Sequence, residues 1–135
     1  TDTRNGDTDV WITHSDDQGA TWSTTQRVNN DGADRDQFFT WMTVDSRNGG
    51  VHIVFYDRRA HNDAHTDVYV ASSFNGGNSW TNRLVSQSSF LPGGKVFFGD
   101  YNNISAVDGH VRPIWTREDK GKLTVWTALL ELVKD

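Results

Sequence analysis

The sequence predicts an all-β fold built from repeated four-stranded antiparallel units, with essentially no helix. Two short strings support this prediction: Ser15–Trp22 fits S-x-D-x-G-x-T-W, and Ser73–Trp80 is a softened copy of it. Each string follows a strand-like run, at 8–14 and at 66–72. A matched strand, turn and tryptophan that occurs twice indicates a repeat protein.

A second repeated element gives the same period. Val51–Asp57 is echoed by Val111–Arg117, and both repeats recur after about 58 to 60 residues. That length accommodates about four strands of ordinary size with their turns. Tandem four-stranded units are typical of the blades of a β-propeller.

Apolar runs bounded by turn residues predict nine strands, which we letter A to D from the inside of a blade outward. The strands are expected at 8–14 (C), 21–28 (D), 38–45 (A), 50–57 (B), 66–73 (C), 79–86 (D), 101–107 (A), 110–117 (B) and 122–130 (C). The chain is thus one propeller segment of about two blades and part of a third, with outer strands of one blade at 1–30, a complete blade at 37–87 and most of a third at 99–133.

Turn chemistry and burial support these elements. Hairpin sequences separate the strands at 48–50, 75–77, 108–109 and 120–121. Strand 50–57 is apolar on both faces and needs cover on both, which stacked blades provide. The leucine-rich segment 123–133 could also form a helix, but its place in the repeat favours a strand.

Composition narrows the class of protein. Apolar residues make up 35% of the chain, with two prolines and twelve glycines, which suits short strands joined by polar turns. A net charge of −5 argues against a nucleic-acid partner. The absence of cysteine excludes a disulfide framework and a zinc–thiolate site. No stretch reaches the length of a membrane span.

Two blades and a fragment cannot close a ring, so blade faces would be left exposed. Two explanations remain open. The chain could be the C-terminal piece of a longer propeller that has further N-terminal blades. Alternatively, it could form a homo-oligomer, and three copies of about two blades would make a six-bladed ring.

The S-x-D-x-G-x-T-W string resembles the Asp-box, or BNR repeat, of the sialidase-like propeller superfamily. The neighbouring segments 36–39, 54–59 and 99–102 are similar too. The chain resembles the C-terminal part of bacterial secreted BNR-repeat proteins. This resemblance implies a six-bladed propeller, a secreted, periplasmic or cell-surface location, and a glycan or glycoprotein partner. Members of the superfamily include sialidases, other glycan-cleaving enzymes, receptors and binding proteins.

In that family the Asp-box is a structural turn between strands C and D. Asp17 can accept hydrogen bonds from its own turn, and Gly19 supplies a backbone conformation that other residues resist. Trp22 is expected to pack the turn onto the blade, and Asn75 can still make such turn bonds. The structural residues of the two boxes are Ser15, Asp17, Gly19, Thr21, Trp22, Ser73, Asn75, Gly77, Ser79 and Trp80.

Successive connections in an up-and-down blade alternate between its two ends. The A–B and C–D turns share one end, while the B–C loops and D–A crossovers share the other, which we call the loop face. We expect a functional site there, because loops on a rigid scaffold carry function. The loop face collects Asp2, Arg4, Asp31, Asp34, Arg35, Asp36, Gln37, Asp57, Arg58, Arg59, His61, Asn62, Asp63, His65, Asp100, Tyr101 and Asn102.

Some of these residues repeat between blades. The spacing Asp2-x-Arg4 recurs as Asp57-x-Arg59, which favours an ion pair within each blade. Arg117 replaces the aspartate in the third blade, so we predict that it faces a ligand. The candidate ligand-binding residues are Arg59, Arg117, Asp36, Gln37 and Arg58.

The resemblance to sialidases implies three arginines on the substrate carboxylate, a Tyr–Glu nucleophile pair and an aspartic acid/base. Tyr101 is the only tyrosine near the start of an inner strand, but neither Glu118 nor Glu131 lies in a strand A. The candidate catalytic residues are Tyr101, Asp100 and Asp57. They form at most part of a hydrolase site.

Two metal hypotheses follow from spacing. His61-x-x-x-His65 would align two rings on a helix, but a loop gives it no such geometry. Asp31, Asp34 and Asp36 could offer oxygen ligands to calcium, although their spacing matches no EF-hand. A solvated acidic loop is the alternative, and no other cofactor is expected.

Three classes of function remain open: part of a glycan-acting hydrolase, a propeller that binds glycan or protein without catalysis, and a structural fragment that assembles into a ring. The missing Tyr–Glu pair weighs against the first for this chain alone. The crowded loop face weighs against the third.

Overall fold

The computed structural model describes residues 1–32, 34–93, 97, 99 and 101–133, and within them it contains ten strands and no helix. The strands are β1 (Trp11–Ile12), β2 (Gln26–Arg27), β3 (Gln37–Val44), β4 (Val51–Asp57), β5 (Asp67–Ser73), β6 (Thr81–Leu84), β7 (Asn103–Val107), β8 (His110–Asp119), β9 (Lys122–Thr127) and β10 (Leu130–Glu131). Every strand pair is antiparallel. The predicted all-β class is therefore confirmed. The described part of the chain offers no helix long and apolar enough to span a membrane.

The strands form three sheets. The first consists of β1 and β2, and the second runs β3-β4-β5-β6 in chain order. In the third, β8 pairs with β7 on one side and with β9 and β10 on the other. An isolated bridge sets Asp2 opposite Asp9, as Asp57 stands opposite Asp67 in the second sheet. The middle sheet is thus a four-stranded antiparallel meander.

The first hairpin is shorter than the predicted strands 8–14 and 21–28, because side chains take over some backbone hydrogen bonds. The amide of Val10 donates to Asn29 Oδ1 at 2.8 Å, and the amide of His14 donates to Ser23 Oγ at 3.1 Å. Regular pairing is left to two residues on each strand.

The predicted strand 122–130 is extended but divided into β9 and β10. Both parts keep one register on β8, with Thr127 opposite Ile114 and Leu130 opposite Val111. The gap between them faces Pro113, which has no N–H to donate to the ladder. Instead, Thr127 Oγ1 donates to the carbonyl oxygen of Pro113 at 2.7 Å.

The middle sheet is covered on both faces. On one face, Ile53, Phe55 and Ala71 pack with Val10 and Val28 of the first hairpin. On the other face lies a larger cluster shared with the third sheet, made of Val54, Tyr56, Val68, Val70, Phe90, Ile104, Val111, Trp115 and Leu132. Each of the large apolar side chains contributes about 1.5–3 kcal/mol by leaving water.

A β-bulge interrupts β3. Phe38 lies opposite Tyr56 but Trp41 lies opposite Val54, so β3 contains one extra residue between them. Phe39 has a φ of +52°, which is unusual for a bulky residue. Because one extra residue reverses the alternation of side chains, Trp41 shares a face with Val54, on the side of the third sheet.

The β3–β4 and β7–β8 turns are joined through Asp45. Its carboxylate accepts hydrogen bonds from the amides of Arg47, Asp108 and Gly109 at 2.9, 3.0 and 2.7 Å. Burial by itself would raise the pKa of Asp45, but the amides of Gly109, Arg47 and Asp108 together lower that pKa to about 2. One charged side chain therefore ties the second sheet to the third.

Candidate functional site

The first Asp-box turn is held by its own side chains. Asp17 accepts hydrogen bonds from the amide and the hydroxyl of Thr21 at 2.8 and 2.6 Å. Ser15 Oγ donates to Asp17 Oδ1 at 2.8 Å and accepts from the amide of Gly19, also at 2.8 Å. Gly19 has a φ of +91°, a conformation that favours glycine. Thr21 and Ser15 thereby lower the pKa of Asp17 to about 2.

The second turn repeats this geometry with different atoms. Asn75 Oδ1 accepts from the amide of Ser79 at 3.0 Å, and Asn75 Nδ2 donates to the hydroxyl of Ser79 at 2.8 Å. Ser73 Oγ accepts from the amide of Gly77 at 2.9 Å. The amide side chain of Asn75 thus replaces the carboxylate, and the turn keeps its hydrogen bonds.

The two tryptophans of these turns differ. Trp80 packs against the core between the first hairpin and the middle sheet, and its Nε1 donates to the carbonyl oxygen of Gly77. Trp22 is 64% exposed, so the expectation that it packs its turn onto the blade is wrong. The first hairpin covers Trp80, whereas no described residue covers Trp22 in the same way.

On the loop face, an arginine pairs with an aspartate two residues away at two repeated positions. Arg4 binds Asp2 and Arg59 binds Asp57 through paired nitrogen and oxygen atoms at 2.7–3.0 Å. Each guanidinium also lies over an aromatic ring of the following strand, at 4.6 Å for Arg4 on Trp11 and 4.2 Å for Arg59 on Tyr69. Because the same pair and ring contact recur, they favour a role in stabilising the fold over a role in binding a ligand.

Arg117 belongs to the same series with the order reversed. Its Nε and Nη2 donate to the two carboxylate oxygens of Asp119 at 2.5 and 2.8 Å. Its Nη1 donates to Ser88, and the group lies 5.3 Å from the ring of Trp126. The argument that the third blade lacks the scaffold carboxylate is therefore wrong, because Asp119 supplies it.

Asp57 and Arg59 are anchored inside the protein. Asp57 is fully buried, and burial raises the pKa of its carboxyl group against the opposing effect of Arg59. The remaining donors of Arg59 reach Asn30 Oδ1 at 2.7 Å and Asn82 Oδ1 at 3.0 Å. Through these contacts, Arg59 joins the first hairpin to the middle sheet.

Gln37 lies in a buried polar network rather than at the surface. Its Nε2 donates to Asp31 Oδ2 at 3.1 Å and to the carbonyl oxygen of Arg35 at 2.9 Å. Its Oε1 accepts from Asn29, which also contacts Asp9 at 2.6 Å. Both ends of the Gln37 side chain are therefore bound within the protein.

Next to this network, a polar pocket of about 370 Å³ opens on the loop face. Its lining residues are Asp31, Gly32, Asp34, Arg35, Arg59, Ala60 and Asn62. Arg35 donates to the carbonyl oxygen of Asp34 and to Asn62 Oδ1, each at 2.6 Å. Among the described residues, these bonds use two of the five N–H donors of Arg35.

Asp36 and Arg58 lie together beside this pocket. Their closest charged atoms are 3.7 Å apart, and the amide of Thr8 donates to Asp36 at 3.2 Å. The guanidinium of Arg58 lies 4.8 Å from the ring of Phe38. This pair is looser than that of Arg59 with Asp57.

The metal hypotheses gain no support from the geometry. His61 Nε2 lies 2.8 Å from Asp67 and His65 Nδ1 lies 2.8 Å from Asp63, so each ring has its own carboxylate. Asp31 bonds to Asn29 and Gln37. Among the residues that the structure describes, no group of three or more His, Cys, Asp or Glu side chains could hold a metal ion.

Tyr101 lies in a different cavity, an aromatic groove of about 360 Å³ whose wall includes Trp41, Tyr101, Asn102, Asn103, Trp115 and Thr116. The groove shares no lining residue with the polar pocket. Glu118 accepts from the amide of Gly93 at 2.7 Å, and Glu131 binds His110 and Arg112. The catalytic candidate Asp100 lies outside the described residues.

Sequence reasoning missed three residues of the loop face and groove. Asp119 could have been found from its spacing, because Arg117-x-Asp119 is the reverse of Asp57-x-Arg59. Asn62 stood among the loop residues without a role. Trp41 gave no signal, because only the bulge in β3 decides which face it occupies.

Comparisons with protein-family models, with curated proteins and with solved structures gave no match.

Proposed function

We propose that this chain is a segment of a sialidase-like BNR-repeat propeller that acts on glycans outside the cell. When complete, such a propeller would be a glycoside hydrolase whose substrate binds on the loop face. The residues of this chain would supply one part of that site, and the remaining blades or further copies would supply the rest.

Three features support the propeller arrangement. The two Asp-box turns share one set of hydrogen bonds. The three sheets stack with the middle one covered on both faces. The Arg–Asp pairs recur in each unit. Repeated sheets that pack only on their neighbours are typical of propeller blades.

The polar pocket is the observation that carries the functional proposal. It sets the partly unpaired guanidinium of Arg35 beside the Asp34 backbone and Asn62. Arginine binds both oxygens of a carboxylate, while amide and carboxylate side chains bond to hydroxyl groups. A pocket with this mixture suits an acidic sugar.

A second candidate, a propeller that binds glycan without cleaving it, has an observation in its favour. Both glutamates of the chain have described partners other than Tyr101: Glu118 binds the amide of Gly93, and Glu131 binds His110 and Arg112. Tyrosine is an effective nucleophile only beside a base. On this view Arg35 and its neighbours hold the ligand and no bond is broken.

A paired assay separates these functions. The chain is screened for hydrolysis of fluorogenic glycosides, sialosides included, and for binding on a glycan array. Both assays are repeated with Arg35→Ala and with Arg47→Ala as the control, since Arg47 is an exposed arginine at the opposite end of the middle sheet.

Hydrolysis that Arg35→Ala lowers and Arg47→Ala leaves intact would support the enzyme. Binding without hydrolysis, with the same dependence on Arg35, would support a glycan site in the polar pocket, and would favour the binding propeller if hydrolysis is also absent from the full-length protein. An absence of both activities, or equal effects of the two variants, would contradict a glycan site in the polar pocket.

A further inference from the structure

We infer that the aromatic groove beside Trp41 and Tyr101 binds the ring of a neutral sugar. The inference rests on the proposed function, because it assigns one unit of the glycan to a second place on the same protein. It concerns a cavity that shares no residue with the polar pocket. At about 360 Å³, the groove falls in the range of about 300–1,000 Å³ typical of small-ligand sites.

Two exposed aromatic side chains stand in the wall of the groove. Trp41 is 44% exposed and Tyr101 is 76% exposed, although large aromatic side chains gain much free energy from burial. A pyranose ring has one face of C–H groups and a rim of hydroxyl groups. Tryptophan and tyrosine match that pattern, since each has an apolar ring and one polar group.

Two buried polar atoms of the groove residues lack a partner. Neither Asn102 Oδ1 nor Trp115 Nε1 makes a hydrogen bond to any described residue, and Asn102 as a whole is only 4% exposed. Such orphaned groups are rare and call for an explanation. A hydroxyl group both donates and accepts, so sugar hydroxyls can satisfy the acceptor and the donor. Both atoms are buried in the ligand-free chain, so binding requires that they become accessible from the groove.

The backbone of β3 is distorted where it builds this groove. The bulge turns Trp41 toward the third sheet, and Phe39 within it has a φ of +52°. Asn102 Nδ2 donates to the carbonyl oxygen of Phe39 at 2.8 Å, so the same side chain that carries the orphaned oxygen holds the bulge. Bulges and residues with positive φ concentrate at functional sites, where they aim a side chain.

The lack of charged side chains in the described wall of the groove favours a neutral ligand. No charged side chain lines the described wall of the groove, whereas Arg35 and Asp34 line the polar pocket. A carboxylate would lose its hydration in the groove without gaining a cationic partner. A neutral hexose or an N-acetylhexosamine therefore fits the groove.

Ile114 and Val125 also border the groove. They correspond by the repeat to Val54 and Val68, which the third sheet covers. Ile114 and Val125 are exposed because no described sheet packs on their face of the third sheet. The sugar site depends on Trp41, Tyr101 and Asn102.

The test is saturation-transfer NMR on the chain with a panel of methyl glycosides of neutral hexoses and N-acetylhexosamines. We expect at least one of them to bind, and we expect Trp41→Ala and Tyr101→Ala to weaken that binding about three- to tenfold. Trp41→Phe keeps a ring and should weaken it less. Trp22→Ala, at the exposed tryptophan of the first Asp-box, should leave binding unchanged.

Equal affinity of Trp41→Ala, Tyr101→Ala and Trp22→Ala would overturn the groove even if the glycoside binds. Binding of acidic glycans that depends on Arg35, with no neutral glycoside bound, would also overturn it and leave the proposed function standing. An absence of any glycan binding would overturn both.

Discussion

Asp17 and Asn75 occupy the same position in two turns, yet only Asp17 carries a charge. Each accepts a hydrogen bond from the amide four residues later, at 2.8 Å for Asp17 and 3.0 Å for Asn75. The geometry requires an oxygen at this position and not a negative charge. Because the hydrogen bonds from Thr21 and Ser15 stabilise the carboxylate, however, Asp17 makes its turn sensitive to acid.

We therefore expect Asp17→Asn to preserve the turn and Asp17→Ala to lower the melting temperature by a few degrees. The folded pKa of Asp17, about 2, lies below its ordinary value of 3.8, so its stabilisation is present above about pH 4 and is lost as the pH falls toward 2. Thermal unfolding followed by circular dichroism across this range measures the effect. The asparagine variant should lose this part of the acid sensitivity, with Asp16→Ala as the control. Equal stability of Asp17→Ala and Asp16→Ala would contradict the role of the turn.

Arg59 gives a second prediction at this scale. Its removal leaves Asp57 buried without its counter-charge, which costs about 3–5 kcal/mol in the free energy of unfolding. Burial already raises the pKa of Asp57, and without the guanidinium of Arg59 only the amide of residue 59 still opposes that effect. The folded state of Arg59→Ala then favours the protonated carboxyl, so its deficit should be larger at pH 7 than near pH 4.

Urea denaturation at the two pH values measures this difference, with the exposed Arg47→Ala as the matched control. A deficit that is the same at both pH values would mean that the loss comes from packing of the guanidinium on Tyr69 and not from its charge.

At the scale of elements, the A–B turns of two neighbouring sheets meet through one side chain. Asp45 belongs to the turn after β3, but its carboxylate accepts hydrogen bonds from the amides of Asp108 and Gly109 after β7. No sequence pattern reveals this contact, because Asp45 reads as an ordinary turn residue.

We expect Asp45→Ala to loosen the third sheet from the second while each sheet keeps its own ladder. Backbone hydrogen exchange should rise in β7 and β8 more than in β5 and β6. Because the pKa of Asp45 is lowered to about 2, the wild-type chain should show the same loosening as the pH falls from about 4 toward 2. Asp108→Asn, which keeps the amide of residue 108 and tolerates its φ of +52°, is the control. Uniform protection in all four strands would contradict this coupling.

The strands themselves were well anticipated, with informative exceptions. Periodicity and turn residues gave β4 and β5 to within a residue, because buried apolar runs between glycine turns are strong signals. The break between β9 and β10 could have been predicted from Pro113, which cannot donate to its neighbour. The bulge at Phe39 could not, because it depends on how β3 meets β4 and on the hydrogen bond from Asn102.

At the scale of the whole molecule, the outward face of the third sheet exposes apolar side chains that no described element covers. Ile114 is 44% exposed and Val125 is 69% exposed, whereas their counterparts by the repeat, Val54 and Val68, are fully buried. All six residues of β9 are exposed. Exposed apolar positions along an edge strand favour association.

We therefore expect the chain to self-associate in solution. The double substitution Ile114→Lys with Val125→Lys should lower the mean mass, since charge opposes burial of that face. Light scattering with size-exclusion chromatography measures the mass, with Leu84→Lys on the exposed strand β6 as the control. A discrete trimer would support a six-bladed ring, and a monomeric wild-type chain would contradict association through this face.

The sequence by itself determined the repeat, the all-β class, the turn chemistry and the set of loop residues to inspect. These depend on local spacing, on glycine and asparagine in turns, and on alternation along strands, all of which act over a few residues. The tertiary structure alone decided that Gln37 is buried and that Trp41 and Tyr101 share a groove apart from Arg35. Those outcomes depend on contacts between segments far apart in the chain, where packing, one bulged residue and competition for hydrogen bonds select among arrangements that the local pattern permits equally.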